Sequence, residues 1–130
     1  MLEVNIKSIP HTEQRYETCG DWWWENGTLY VRVSELSDWR HEFLVALHEL
    51  VEAMLCKDEG VSQVVVDAFD QRFEDTRPEG NTDEPGDCYD APYYREHQVA
   101  SGIERLVAAE LLLDWQEYER DIEGLGGTEE

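Results

Sequence analysis

The fold is decided by one apolar stretch near the middle of the chain, His41-Glu-Phe-Leu-Val-Ala-Leu-His-Glu-Leu-Val-Glu-Ala-Met-Leu-Cys56. Its spacing predicts a helix that is apolar nearly all round, which is typical of a buried helix. Three ionisable residues, His48, Glu49 and Glu52, fall within one arc of about 100° on that helix. Because unpaired charges inside a protein are costly, these side chains need a partner, and a divalent metal ion would supply one.

The composition describes one acidic domain. The chain has 130 residues, a length at which a single domain buries a core without disulfides or metals. Its 31 Asp and Glu against 10 Lys and Arg give a formal net charge of −21. Such a charge repels nucleic acids and anionic membranes, so neither is expected as a direct partner. Three interpretations of the charge stay open: solubility alone, attraction of cations and basic substrates, and imitation of DNA.

Cysteine usage and hydropathy bear on the compartment. Cys19, Cys56 and Cys88 are odd in number and form no CxxC pair, which indicates a reducing environment and predicts a cytoplasmic protein. The first residues alternate charged and apolar side chains, so no secretory signal is predicted. No apolar run approaches the roughly 18 residues of a membrane span.

The N-terminal part predicts an antiparallel sheet. Residues 2–9 alternate polar and apolar side chains up to Pro10, as in a strand with one buried face. Asn26-Gly27 supplies a hairpin turn before a second arm, Thr28–Val33. The run Trp22-Trp23-Trp24 points to both faces of its strand. Half-buried packing of these rings is favoured, whereas an exposed cluster would suit a dimer contact.

The opening stretch belongs to the first of three predicted helices. Ser37 or Asp38 can cap this helix, which is expected to run to about Lys57. A shorter helix is predicted over 61–73 and a long one over 93–118, each from apolar residues at helical spacing.

The remaining segments are predicted to lack regular structure. Residues 74–92 show no periodicity and include three prolines, which indicates a long acidic loop. Residues 119–130 are polar and rich in glycine, which indicates a flexible acidic tail. The sequence therefore predicts a single α+β domain over 1–118, with an N-terminal antiparallel sheet packed on about three helices.

His48 and Glu52, four residues apart on one helical face, offer two ligands for zinc, which in catalytic sites takes three protein ligands. His97 is the candidate third ligand, because it is the other histidine on an inward helical face, and Glu96 is the fallback. Glu49 would then lie beside the metal, where its carboxylate can take a proton from water. A buried hydrogen-bonded network of the same residues without metal is the alternative.

The order of these elements resembles the core of zincin-type metallopeptidases. The residues that carry the resemblance are Gly27–Val33, then a helix containing Ala46-Leu-His-Glu-Leu-Val-Glu52, in which Glu replaces the second histidine of HExxH. The resemblance implies a substrate-aligning edge strand before the metal helix and a third ligand from a later helix. The chain is also similar over 44–118 to small uncharacterised phage and prophage proteins, through its His-Glu-x-x-Glu helix and Ala91-Pro-Tyr-Tyr-Arg-Glu-His97, which implies no activity.

Metal-activated hydrolysis is the first function that these residues predict. Zinc would lower the pKa of water, and Glu49 would receive the proton. A peptide or protein substrate would be aligned by edge pairing with the strand Thr28–Val33. The acidic surroundings would favour a basic peptide.

Two other functions remain open. Glu49-x-x-Glu52 and Asp67-x-x-Asp70 resemble the paired acidic motifs of all-α nucleotide pyrophosphatases, a resemblance that implies Mg²⁺ bound between two helices. That function leaves His48 without a role and places the N-terminal strands outside the fold. The third possibility is a non-catalytic acidic protein, such as a phage inhibitor that imitates DNA.

Overall fold

The computed structural model describes residues 1–126, which form a three-stranded sheet packed on four helices. This arrangement confirms the predicted α+β class. The strands are β1 (Glu3–Ile9), β2 (Gly20–Glu25) and β3 (Thr28–Ser34), and the helices are α1 (Trp39–Glu59), α2 (Gln63–Asp75), α3 (Tyr94–Glu110) and α4 (Trp115–Gly126).

The sheet is mixed, with the strand order β1-β3-β2. The predicted hairpin is present: β2 and β3 are antiparallel, and Asn26 and Gly27 adopt the positive φ angles of 51° and 82° that a tight hairpin turn requires. However, β1 runs parallel to β3, so the sheet is not wholly antiparallel. The reason is that segment 10–19 returns the chain to the far side of the hairpin before β2 begins.

This strand order corrects one expectation. The strand over Thr28–Val33 was predicted to be an edge that could pair with a peptide. In the structure β3 is the central strand, hydrogen-bonded to β1 on one side and to β2 on the other. Its backbone groups are therefore already used, and the open edges of the sheet belong to β1 and β2.

Helix α1 covers one face of the sheet and forms the core with it. The apolar side of β3 is fully buried, and Leu44, Ala53 and Cys56 of α1 are equally inaccessible. Trp22 is buried in the same core, whereas Trp23 and Trp24 are half-buried. The three rings therefore do not form an exposed cluster.

The helix ends follow local signals. Asp38 caps α1 by accepting a hydrogen bond from Arg40 N, and Gly60 ends the helix with a φ of 78°. Ser62 caps α2 through Val65 N.

In the part of the chain that the structure describes, no helix has both the length and the apolar composition needed to cross a membrane.

The long helix predicted over 93–118 is in fact two helices. Leu112 has a φ of 58°, and the Asp114 side chain then accepts hydrogen bonds from Gln116 N and Glu117 N to begin α4. Because α4 continues to Gly126, most of the segment predicted to be a flexible tail is helical. Residues 127–130 of that tail lie outside the described residues.

Candidate metal centre

Three buried side chains meet between helices α1 and α3. His48 Nε2 lies 3.3 Å from Glu52 Oε2 and 3.1 Å from His97 Nδ1, and Glu52 Oε2 lies 2.8 Å from His97 Nδ1. Each of the three residues is less than a tenth exposed. The structure thus brings together the three residues that the sequence singled out, two from α1 and one from α3.

The spacing of these three atoms is close to that of zinc ligands. Zinc lies about 2.0 to 2.2 Å from nitrogen and oxygen, so tetrahedral ligand atoms are about 3.3 to 3.6 Å apart. The triangle formed by His48, Glu52 and His97 is slightly smaller, and small outward shifts of the side chains would admit an ion. The same distances also suit hydrogen bonds. A metal site and a metal-free hydrogen-bonded network of these residues therefore differ in where the protons lie.

His48 is held from behind by a carboxylate. Its Nδ1 lies 2.8 Å from Glu104 Oε1, and the other oxygen of Glu104 accepts a hydrogen bond from the Tyr118 hydroxyl. Because a carboxylate only accepts, the proton of a neutral imidazole resides on Nδ1. The lone pair of Nε2 then points at Glu52 and His97, an arrangement that is usual for histidine ligands of metals.

Glu52 and His97 are oriented in the same way. Glu52 Oε1 accepts a hydrogen bond from Trp22 Nε1 at 2.9 Å, which leaves Oε2 directed at the centre. His97 Nε2 lies 3.1 Å from Glu84 Oε1 and 3.3 Å from Asp87 Oδ1, although the angles are too bent for a hydrogen bond. If the ring is neutral, its proton resides on this nitrogen, which faces two carboxylates, and the lone pair of Nδ1 faces inward.

The cluster attracts positive charge strongly. Burial opposes the charged form of His97, but the hydrogen bond to Glu52 and the nearby carboxylate of Glu84 outweigh it and raise the pKa of His97 to about 10. Burial of His48 is likewise outweighed by Glu104 and Glu52, and its pKa lies well above the usual range. Burial of Glu52 is outweighed by both histidines, which lower its pKa to about 2. The centre therefore holds either protons or a cation, and a metal ion must displace the protons.

Glu49, the predicted base, lies one residue after His48 and is half-buried. A Cβ built on Gly20 would come within 2.9 Å of Glu49 Cγ, so the bare backbone of β2 makes room for this side chain. Within the described part of the chain, the Glu49 carboxylate makes no hydrogen bond. Burial and repulsion by Glu52 raise the pKa of Glu49 well above its usual range.

A cleft of about 840 Å³ gives access to these residues. His48, Glu49, Glu52 and His97 all line it. Its outer wall is the acidic loop, which begins after α2 ends at Asp75 and contains a short 3-10 turn over Pro85–Asp87. The loop backbone lies directly on the ring of His97, because a Cβ at Gly86 would overlap with the ring atoms.

The acids predicted for a magnesium site are engaged elsewhere. Asp67 forms an ion pair with Arg15 at 3.4 Å, and Asp70 accepts hydrogen bonds from the hydroxyls of Tyr16 and Tyr93. Burial raises the pKa of Asp70 to about 7. No three of the four carboxylates in those motifs, all of them described, offer oxygen atoms within 4.8 Å of one another.

Several neighbours of the centre were not predicted. Glu96, the fallback ligand, is buried on α3 but lies outside the cluster. Trp22 and Tyr118 were not expected to serve the site, and neither were Glu84 and Asp87 of the loop. The alternation of β2 indicates that the Trp22 ring points toward α1. No local pattern in the sequence predicts the positions of Tyr118, Glu84 and Asp87.

Comparison of the chain with protein-family models, with curated proteins and with solved structures gives no match. Any function must therefore be inferred from the geometry of the centre itself.

Proposed function

We propose that this protein binds one zinc ion through His48, Glu52 and His97 and is a zinc-dependent hydrolase with Glu49 as its general base. One observation carries the proposal: three ligand atoms face one point, and a separate buried or loop side chain lies behind each of them. A metal-free salt-bridged network needs no such convergence of lone pairs, because each proton would have its own acceptor.

The donor set favours zinc over magnesium. Two imidazole nitrogens and one carboxylate oxygen form one of the usual ligand sets of catalytic zinc, whereas magnesium prefers oxygen ligands in octahedral geometry. Three protein ligands leave a fourth position for water or substrate. The cleft that reaches His48, Glu52 and His97 supports access to that position.

Zinc in such a site acts as a Lewis acid and makes water a nucleophile near neutral pH. Glu49 would accept the proton of that water, since its carboxylate faces the same cleft and has no protein hydrogen bond within the described residues. The ionised form is required for this role. Burial and repulsion by Glu52 both disfavour ionisation of Glu49, and a cation bound beside Glu52 would oppose both effects.

A peptide or protein is the substrate class that the cleft supports best. The open edge of β2 borders the cleft, and Trp24 N donates to the Gln63 side chain, so it points away from β3. Alternation directs the backbone groups of Trp22 to the same side, where an extended peptide could pair, whereas Gly20 on this edge is already hydrogen-bonded to the Thr18 hydroxyl. Most charged residues that line the cleft are acidic and would favour basic residues, among them Glu17, Glu74, Glu79, Asp83, Glu84, Asp87, Glu119 and Glu123.

A peptide library tests this proposal. Zinc-loaded protein and its Glu49→Gln variant would be incubated with the library, and cleavage followed by mass spectrometry. We expect cleavage by the unchanged protein and a loss of about 100-fold or more in the variant, the usual contribution of a general base. Glu59→Gln, an exposed acid on the same helix, is the matched control and should cleave normally. Equal cleavage by Glu49→Gln, or an uncleaved library, would contradict the proposal.

A further inference from the structure

Strand β1 has an open edge along its whole length. It lies at the end of the sheet order β1-β3-β2, and within residues 1–126 it pairs with β3 on one side and with no strand on the other. The opposite edge, on β2, is partly occupied because Gln63 accepts a hydrogen bond from Trp24 N. An unpaired strand edge presents a row of free backbone donors and acceptors that another strand can use.

The ladder between β1 and β3 determines which backbone groups are free. The Ile9 carbonyl accepts a hydrogen bond from Glu35 N, at the end of this ladder. Because N–H and C=O groups of successive residues point to opposite sides of a strand, the odd-numbered residues of β1 face β3. The backbone groups of Leu2, Val4, Ile6 and Ser8 therefore face outward at the open edge.

The same strand exposes apolar side chains. Val4 and Ile6 are paired in register with Leu29 and Val31 of β3, so their side chains lie on the face that α1 covers elsewhere. Leu29 and Val31 are completely buried, yet Val4 is 38% and Ile6 46% exposed. Burial is thus complete at β3 and only partial at β1, so the edge strand keeps an apolar face that the described chain does not fully cover.

The charges on β1 are arranged to match a second copy of themselves. Glu3 and Lys7 are both exposed, lie on the opposite face from Val4 and Ile6, and are placed symmetrically about Asn5. In an antiparallel pair centred on Asn5, Glu3 would face Lys7 of the partner subunit, and Val4 would face Ile6 of the partner subunit. A shift of two residues in either direction would lose the pairing of opposite charges.

We propose that two copies of the chain associate through β1, antiparallel and with Asn5 on the two-fold axis, to form one continuous six-stranded sheet. The even-numbered residues would form the hydrogen-bonded pairs, which their outward backbone groups permit. Asn5 Oδ1 is inaccessible to water and has no hydrogen-bond partner among residues 1–126, and in this dimer the Asn5 side chain lies beside the same side chain of the second copy. Opposite charges and apolar pairs across the strands both stabilise this register.

A charge-swap series measured by sedimentation velocity tests the dimer. At about 0.15 M salt, where screening shortens the range of the overall repulsion to ~8 Å, we expect a dimer. In the dimer, residue 3 of each copy faces residue 7 of the other, so Glu3→Lys and Lys7→Glu each create two pairs of like charges. Either change should raise the dimer Kd about tenfold. The double variant restores both pairs and should restore the Kd.

The control is Glu59→Lys, which changes the net charge as Glu3→Lys does but lies far from β1 in sequence, on α1. Because it lowers the overall repulsion, it should not weaken the dimer. A chain that stays monomeric at millimolar concentration would overturn the proposal. So would a dimer whose Kd is the same in both single variants and the unchanged protein.

A cross-link tests the register separately. Residues opposite one another in a non-hydrogen-bonded antiparallel pair have Cα atoms about 4.5 Å apart, within the range of a disulfide. Asn5→Cys should therefore give a covalent dimer on oxidation, whereas Glu3→Cys should not, since it would face Lys7 of the partner subunit. Equal cross-linking by both variants, or none by Asn5→Cys, would overturn the assigned register.

Discussion

His48 Nδ1 lies 2.8 Å from Glu104 Oε1, although the two residues are 56 positions apart in the sequence. The carboxylate is itself fixed by the Tyr118 hydroxyl, so a chain of hydrogen bonds connects α1, α3 and α4 behind the proposed metal ligand. This relationship ties the helix that the sequence did not predict, α4, to the orientation of the imidazole.

Removal of that carboxylate should weaken metal binding. We expect Glu104→Ala to lower zinc affinity about 10-fold to 100-fold, because the ring of His48 loses the acceptor that fixes its orientation and basicity. Competition with a chromogenic chelator measures the affinity. Glu110→Ala, an exposed acid on the same helix, is the control. Unchanged affinity in Glu104→Ala would show that the carboxylate does not support a ligand.

The acidic loop should also matter for the metal centre. A Cβ at Gly86 would overlap with the His97 ring, so Gly86→Ala should displace either the loop or the imidazole and lower zinc affinity. Gly102→Ala is the matched substitution: within α3, no described atom beyond the adjoining backbone of the helix lies within 4 Å of the new Cβ, and the change should raise stability by about 0.5 to 1 kcal/mol. Equal zinc affinity in both variants would contradict the observed packing of the loop.

Asp70 should make stability depend on pH. Burial raises its folded-state pKa to about 7, above its usual value of 3.8, so the folded protein binds a proton more tightly. The contribution to stability is therefore fully present below about pH 4 and is lost as the pH rises through 7. Urea unfolding of metal-free protein between pH 4 and pH 8 measures the free energy of unfolding. Asp70→Asn should remove the part of its decline with pH that Asp70 causes, which is a few kcal/mol. Asp75→Asn, which is exposed, should retain it; identical profiles for Asp70→Asn and the unchanged protein would refute the assignment.

The break between α3 and α4 can be improved by design. Leu112 has a φ of 58° and is 91% exposed, so its left-handed backbone costs energy that no packing returns. Leu112→Gly should stabilise the fold by about 1 kcal/mol, since glycine adopts this conformation freely. Leu106→Gly, exposed within α3, should destabilise by a similar amount. Thermal unfolding measures both, and a loss of stability in Leu112→Gly would contradict the explanation.

The parts of the fold that depend on local pattern were predictable. The alternation of β3, the Asn26-Gly27 turn and the cap at Asp38 all act within a few residues, and each is found where the sequence indicates. The inward face of α3 follows from helical spacing, which is why His97 was found.

The parts that depend on long-range contacts were not predictable. The parallel pairing of β1 is set by where the segment 10–19 returns the chain, which no local pattern specifies. The roles of Trp22 and Tyr118 arise from packing across the domain. The break before α4 is different, because Asp114 followed by Glu117 is a capping signal that could have been recognised in the sequence.

Zinc titration of chelator-treated protein tests the central claim most directly. Calorimetry should give one zinc ion per chain for the unchanged protein and for Glu49→Gln, whose substituted carboxylate is not a ligand. His48→Ala and His97→Ala should each lose tight binding, while circular dichroism shows that they remain folded. No zinc uptake by the unchanged protein, or full uptake by a folded His97→Ala variant, would contradict the account.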